Sequence, residues 1–224
     1  VTNYSQITLF DKFRQDICPE KPVEKPVDNV NKPLYISTAA LTKGPSRVMK
    51  NKKGGAAVLR WVTTMGELSF PELMKVYAET NGKTAREEWP DLPEGFALEK
   101  AEREFYDYLR QVFFRTPGTA YALWEVNGNY VSALRLEPYR DGLLIEALET
   151  PPDQRRKGYA CGLMDATISW LKEQGGGILY SHVGKKNTAS LGVHEKLGFE
   201  RISEMAVYAD GSVDGRCCTL RRKV

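Results

Sequence analysis

Two apolar, β-rich runs, Tyr121 to Val126 and Tyr130 to Leu136, stand on either side of Asn127-Gly128-Asn129. Asn-Gly supplies the positive φ values that a tight hairpin turn needs, so the runs read as an antiparallel pair. Arg140-Asp141-Gly142 turns the chain into a third strand, Leu143 to Thr150, and Pro151-Pro152 ends it because proline cannot donate to a ladder. A helical pattern follows at once. Ala160, Leu163, Met164, Thr167, Ile168 and Leu171 share one face, and Gly175-Gly176-Gly177 stops the helix. Ile178 to Val183 is then a further strand. A meander followed by a strand–helix–strand crossover admits few folds. It requires a mixed, mostly antiparallel sheet with helices on its faces.

The flanking segments add to this plan. Ala56 to Val62 reads as a strand, and Ser69 with Glu72 marks a capped helix start. Asn81 to Gly95, with Pro90 and Pro93, reads as a loop. Leu98, Ala101, Phe105, Leu109 and Val112 recur as the apolar face of a helix. Asn187 caps a short helix that Gly198 ends, and Phe199 to Tyr208 pairs with Cys217 to Arg221 as a closing hairpin. The sum is an α/β (α+β) domain over residues 51–224, with a sheet of about six to seven strands. Residues 1–50 differ: a short amphipathic helix precedes Pro19, Pro22, Pro26 and Pro33, the pattern of an N-terminal extension.

Bulk properties exclude some classes. A chain of 224 residues, 42% apolar and 27% charged, can bury its own core. No apolar run approaches the roughly 20 residues of a membrane span. The net charge of +3 is mild. Charge runs such as Lys52-Lys53, Lys185-Lys186 and Arg221 to Lys223 lack interleaved aromatics, so they read as solvated faces rather than a nucleic-acid surface. None of the cysteines, Cys18, Cys161, Cys217 and Cys218, forms a C-x-x-C pair. They read as free thiols, with no metal site, in a reducing, cytoplasmic protein that is a monomer or homodimer.

Chemistry concentrates in Gln154-Arg155-Arg156-Lys157-Gly158-Tyr159-Ala160, between a strand and a helix. The first amides of a helix lack backbone acceptors, and the helix dipole adds positive potential there. Gly158 and Ala160 remove side-chain bulk, so an anion can approach the backbone, and Arg155, Arg156 and Lys157 add charge. The spacing matches neither common nucleotide loop. It reads R-x-x-G-x-A. About thirty residues on come Asn187-Thr188-Ala189-Ser190 and then His194-Glu195-Lys196-Leu197-Gly198-Phe199.

In these two segments the chain resembles the GNAT superfamily of acyl-CoA N-acyltransferases. Arg155, Gly158 and Ala160 match its pyrophosphate loop, and Asn187 with Glu195 to Phe199 matches its later signature. The resemblance runs from about Ala120 onward. It implies a sheet splayed at the cofactor site and acetyl-CoA as the cofactor. Backbone groups of Leu148, Glu149 and Thr150 would bond the pantetheine arm, in the manner of an added strand. The amides of Arg155, Arg156, Lys157, Gly158, Tyr159 and Ala160 would hold the pyrophosphate. Asn187 and Ser190 would contact the cofactor further along, Asn187 also serving as a helix cap.

The resemblance also implies direct transfer of an acetyl group to a primary amine of a small molecule or peptide. Glu146 is the first choice for the base, placed by alternation on the same strand face as Leu144 and Leu148, with Glu149 and Glu137 as alternatives. An amide near Leu148 would serve the oxyanion. His194 stands where the family often has a Tyr that protonates the departing thiolate, so it is the candidate acid. The acceptor would lie across the sheet, where Trp89, Trp124, Arg135 and Tyr139 are candidate lining residues. The alternative reading is a module that holds acetyl-CoA and only senses it.

Overall fold

The computed structural model describes residues 47–50 and 56–224. Strands β1 (Arg47–Lys50) and β2 (Ala56–Val62) are followed by helices α1 (Phe70–Glu88) and α2 (Glu94–Gln111). Then come β3 (Ala120–Val126), β4 (Asn129–Tyr139), β5 (Gly142–Glu149), α3 (Tyr159–Glu173), β6 (Ile178–Gly184) and α4 (Thr188–Lys196). The chain closes with β7 (Glu200–Ser203), β8 (Ala206–Val207), β9 (Val213–Asp214) and β10 (Cys217–Lys223). Among the described residues the main sheet has eight strands in the order β1-β2-β3-β4-β5-β6-β10-β7. Only β5 and β6 are parallel, and α3 is the crossover between them. This is the mixed, mostly antiparallel architecture that the hairpins and crossover imply.

Two apolar layers hold the sheet. On one face Leu163, Met164, Ile168 and Leu171 of α3 pack on Leu59, Ala122, Leu134 and Ile145. Trp61 and Trp170 meet here with ring centroids 4.1 Å apart. On the other face Leu73, Val76 and Tyr77 of α1 and Phe105 and Leu109 of α2 cover Tyr121, Leu123 and Ala133. Each fully buried Leu or Phe contributes about 1.5–3 kcal/mol, so these two layers supply most of the driving force. The β3–β4 turn is the two-residue hairpin that Asn-Gly dictates: Asn127 has φ 51° and Gly128 φ 79°.

Several segments depart from the sequence reading. Residues 81–88 are helical, because α1 runs unbroken to Glu88. Asn81 and Gly82 are weak helix formers, at a cost of about 1 kcal/mol for the glycine. Burial and packing outweigh that cost: Asn81 is buried and bonds Met74 Sδ two turns back in the same helix at 3.3 Å, and Ala85 packs against Ala97 and Ala101 of α2. Ser69 is the N-cap of α1 as expected, but its side chain makes no capping bond, and Pro71 sets the first turn instead. The closing hairpin is interrupted. β7 pairs with β10 at the sheet edge, while β8 leaves to pair with β9 in a separate ribbon. The sheet also includes β1, which lies before residue 51. The amphipathic and proline-rich parts of residues 1–46, Cys18 and Lys52-Lys53 lie outside the described residues. No helix among the described residues is long and apolar enough to cross a membrane.

Candidate active site

β5 and β6 pair at three positions, Leu143 with Leu179, Leu144 with Tyr180 and Ile145 with Ser181. Beyond Ile145 the strands diverge and leave a narrow gap of about 40 Å³, bordered by Glu146 to Leu148, Ser181 to Gly184 and α4. A bulge in β5 shapes its rim. Ala147 and Leu148 together oppose Leu134, and Ala147 has φ 49°. That conformation costs a non-glycine residue on the order of 1 kcal/mol. The buried Tyr77 hydroxyl donates to the Ala147 carbonyl at 2.7 Å and holds it. The bulge breaks strand alternation. Ile145 faces the α3 core, while Leu144 packs with Tyr139 and Tyr180 and Glu146 meets Arg135, but Leu148 does not keep the place beside Leu144 and Glu146 that alternation predicts. It turns to the α3 core, and Ala147 takes the α1–α2 side.

The loop after β5 builds the second part of the site. Gly158 is the N-cap of α3 with φ 86°, and no side chain caps the helix. The amides of Tyr159, Ala160 and Cys161 are therefore left for a ligand, as the anion-cradle argument requires. A Cβ on Gly158 would meet nothing within 4 Å. The glycine is needed for its left-handed backbone and for access to the amides, not to relieve crowding in the protein. Arg155 plays a different part from the one its charge suggests. Its guanidinium donates to the Thr150 carbonyl at 3.0 Å, to Glu149 at 3.3 Å and to Glu79 of α1. It braces the loop against α1, and its charge is offset by two carboxylates. The oxygens of Glu149 and Thr150 are engaged as well, since the Ser132 hydroxyl donates to the Glu149 carbonyl at 2.8 Å.

A cavity of about 700 Å³ opens beside this loop. Leu148 to Thr150, Arg155, Arg156 and Gly158 to Ala160 line one side, and Asn187 and Ser190 another. Asn187 caps α4, its Oδ1 accepting from Ser190 N at 3.1 Å. The far wall is α1, through Glu79, Thr80, Lys83 and Arg86. Leu148, Asn187 and Ser190 border both the large cavity and the narrow gap, so the two meet at these residues.

Glu149, which borders the large cavity, is buried. Burial pushes its carboxyl up to about 6, against the bonds from Thr80 and Arg155 that favour the charged form. A carboxyl whose folded pKa is raised binds its proton more tightly when folded. Stability is thus full below the unfolded value near 4.5 and declines as pH rises towards 6. Glu149→Gln is expected to be more stable than the unaltered protein at pH 8, by about 1–2 kcal/mol, with the difference vanishing near pH 4.5 in urea melts.

The narrow gap holds the titratable groups. Glu146 accepts from Arg135 Nη2 at 3.2 Å. Arg135 is itself buried, at 1% exposure, with its guanidinium over the rings of Tyr108 and Phe113. Burial alone would lower its pKa, but Tyr108, Tyr121, Glu137 and Glu146 hold it above the ordinary value. His194, 1% exposed, lies against Phe199, and its Nδ1 is 2.8 Å from the Ser190 carbonyl. Burial lowers its pKa below 6.5, and the Ser190 bond opposes this only in part. His182, packed edge-on between Tyr139 and Tyr208, also borders the gap and was not singled out by sequence reasoning. One signal was available: the chain has only two histidines, and the structure brings both to this gap.

The proposed acceptor-lining residues separate. Tyr139 stands beside Tyr180 and His182. Arg135 supports Glu146 from below. Trp124 is core, packed near Gly162, and Trp89 lies against Ala85 and Lys100 in a separate cluster.

A splayed parallel pair, a bulged strand edge and an uncapped helix start thus border two adjoining cavities. Comparison with known proteins identifies the family: the profile of the Acetyltransferase (GNAT) family matches residues 82–199. The chain belongs to that family, and it is an acyltransferase that uses acetyl-CoA. It is 27% identical to an L-methionine sulfoximine/L-methionine sulfone acetyltransferase of Pseudomonas paraeruginosa over 142 residues, 62% of this chain and 80% of that protein. It is 24% identical to the ribosomal protein bS18 alanine N-acetyltransferase of Escherichia coli K12 over 131 residues, 58% of this chain and 87% of that protein. In fold it resembles the GNAT domain of S. lividans PAT, with TM-score 0.53 and 14% identity over 81% of this chain and all of that one. It likewise resembles the paia N-acetyltransferase of Thermoplasma acidophilum, solved with coenzyme A, with TM-score 0.51 and 14% identity over 74% of this chain and 99% of that one.

Proposed function

We propose that the protein acetylates the primary amine of a small molecule or short peptide, with the large cavity holding coenzyme A and the narrow gap holding the reacting groups. The observation that carries this reading is the junction of the two cavities at Leu148, Asn187 and Ser190. The anion-binding amides of α3 border one side of it, and Glu146, His182 and His194 border the other. The gap, at about 40 Å³, has room for roughly three water-sized groups, which suits a short acyl chain. Two relatives that acetylate an amino-acid derivative and a protein alanine support an amine acceptor of this size class.

Acetyl-CoA supplies the activated thioester. The amides of Tyr159 to Cys161 would bind its pyrophosphate, and Asn187 and Ser190 would contact the arm. Leu148 lies in the bulge, outside the paired register of β4 and β5, and its amide would serve the developing oxyanion. Glu146 would take the proton that the amine carries on arrival. Arg135 donates to the carboxylate and holds it at the rim.

The test is coenzyme A release over a panel of amines, including free amino acids and short peptides. One or more should show turnover, and Glu146→Gln, which keeps an acceptor for Arg135, should lower kcat by about 10²–10⁴. Tight acetyl-CoA binding with no thiol release across the panel would instead support a sensing module.

A further inference from the structure

We propose that His194 acts as a proton acceptor before it acts as a donor, taking a proton from the attacking nitrogen and passing it to the departing sulfur. This rests on the acetyl-transfer reading above and assigns a step within it. The geometry carries it. A carbonyl oxygen only accepts, so the 2.8 Å contact between His194 Nδ1 and Ser190 O places a proton on Nδ1. Nε2 is buried and has no hydrogen-bond partner among the described residues. The Nδ1 edge faces the backbone of α4, so the Nε2 edge faces away from it, and Phe199, edge-on at 5.0 Å, fixes the ring plane. A neutral ring held in this tautomer presents a bare lone pair, which can accept a proton and cannot give one. Burial also keeps the ring neutral at pH 7, which removes the imidazolium that a donor-first role requires.

The proton balance then closes. A primary amine reaches the site largely as ammonium at neutral pH. Its first proton goes to Glu146 and on to solvent. The nitrogen–carbon bond forms, and the nitrogen's surplus proton passes to His194 Nε2. As the carbon–sulfur bond breaks, the same proton moves from Nε2 to the thiolate. The products are the amide and coenzyme A thiol, and the ring returns to its neutral form.

Other titratable groups border the gap from the elements around it: Glu146 on β5, His182 on β6 and Tyr208 after β8, with Arg135 behind Glu146. The test must isolate His194 from these. With only two histidines in the chain, ¹⁵N-imidazole spectra of the full-length protein resolve each ring, and His194→Phe assigns them. The expected result is an Nδ1–H neutral ring for His194 across pH 6.5–8, with or without acetyl-CoA. An Nε2–H tautomer or an imidazolium at pH 7 overturns the proposal.

Kinetics supply the second arm. His194→Phe and His194→Tyr should both lose about 100-fold or more in kcat. Acetyl-CoA Kd should stay within about threefold in both. A His194→Tyr variant with near-normal turnover would show that a donor suffices and would overturn the proposal. No thiol release from the unaltered protein with any amine would overturn the transfer reading and the catalytic step with it, and the tautomer result would still stand or fall on its own spectrum.

Discussion

Gly158→Val should weaken acetyl-CoA binding by about 100-fold or more in calorimetric titration, with little change in the melting curve. At φ 86° a β-branched residue carries about 1–2 kcal/mol of backbone strain, which the loop relieves by moving. Either outcome spoils the site: a moved loop misdirects the Tyr159 to Cys161 amides, and an unmoved one covers them with methyl groups. A hundredfold loss corresponds to about 2.7 kcal/mol. Gly128→Val is the control. It sits at φ 79° with equally open surroundings, in the β3–β4 hairpin. It carries similar strain and should leave binding unchanged. Equal losses in both variants would show that strain alone accounts for the effect.

Glu146→Ala should be the most destabilising change in the site, by about 3 kcal/mol, lowering Tm by roughly 6–12 °C. The reason is Arg135. Its guanidinium is buried, and two of its nitrogens, Nε and Nη1, have no hydrogen-bond partner among the described residues. Removing the carboxylate leaves a buried cation without its ion-pair partner, with Glu137 as the remaining counter-charge. Arg135→Met combined with Glu146→Leu should recover most of the loss, because two apolar side chains then replace the pair. A double variant no more stable than Glu146→Ala would show that the pair itself holds the sheet. The result also bears on kinetics: loss of activity in Glu146→Ala mixes unfolding with chemistry, whereas Glu146→Gln keeps an acceptor for Arg135.

What was legible in the sequence was what neighbouring residues decide. Asn127-Gly128 dictates its hairpin through two left-handed residues, and the apolar stripe of α3 follows from its own spacing. Gly158 and the amides after it make an anion cradle from a handful of consecutive residues, and Asn187 caps α4 within three. The parts that escaped depend on distant partners. The bulge at Ala147 is held by Tyr77, 70 residues earlier, so simple alternation misplaced Leu148. Arg155 reads as a phosphate ligand until Glu79 of α1, 76 residues away, is seen to bind its guanidinium. The helical turns of residues 81–88 are held by packing of Ala85 against Ala97 and Ala101 of α2, which outweighs weak local propensity. His194 reads as an acid from its position, and the burial and Ser190 contact on which the proposed acceptor step rests appear only in the folded chain.

The central claim is that the gap between β5 and β6 receives the thioester while the start of α3 holds the pyrophosphate. A crystal structure with acetyl-CoA tests it most directly. The thioester oxygen is expected within about 3.2 Å of Leu148 N, in the opening beyond the Ile145–Ser181 pair, with pyrophosphate oxygens on the amides of Tyr159 to Cys161. A cofactor bound elsewhere, or β5 and β6 paired continuously past Ile145 and Ser181 with the gap closed, would contradict it.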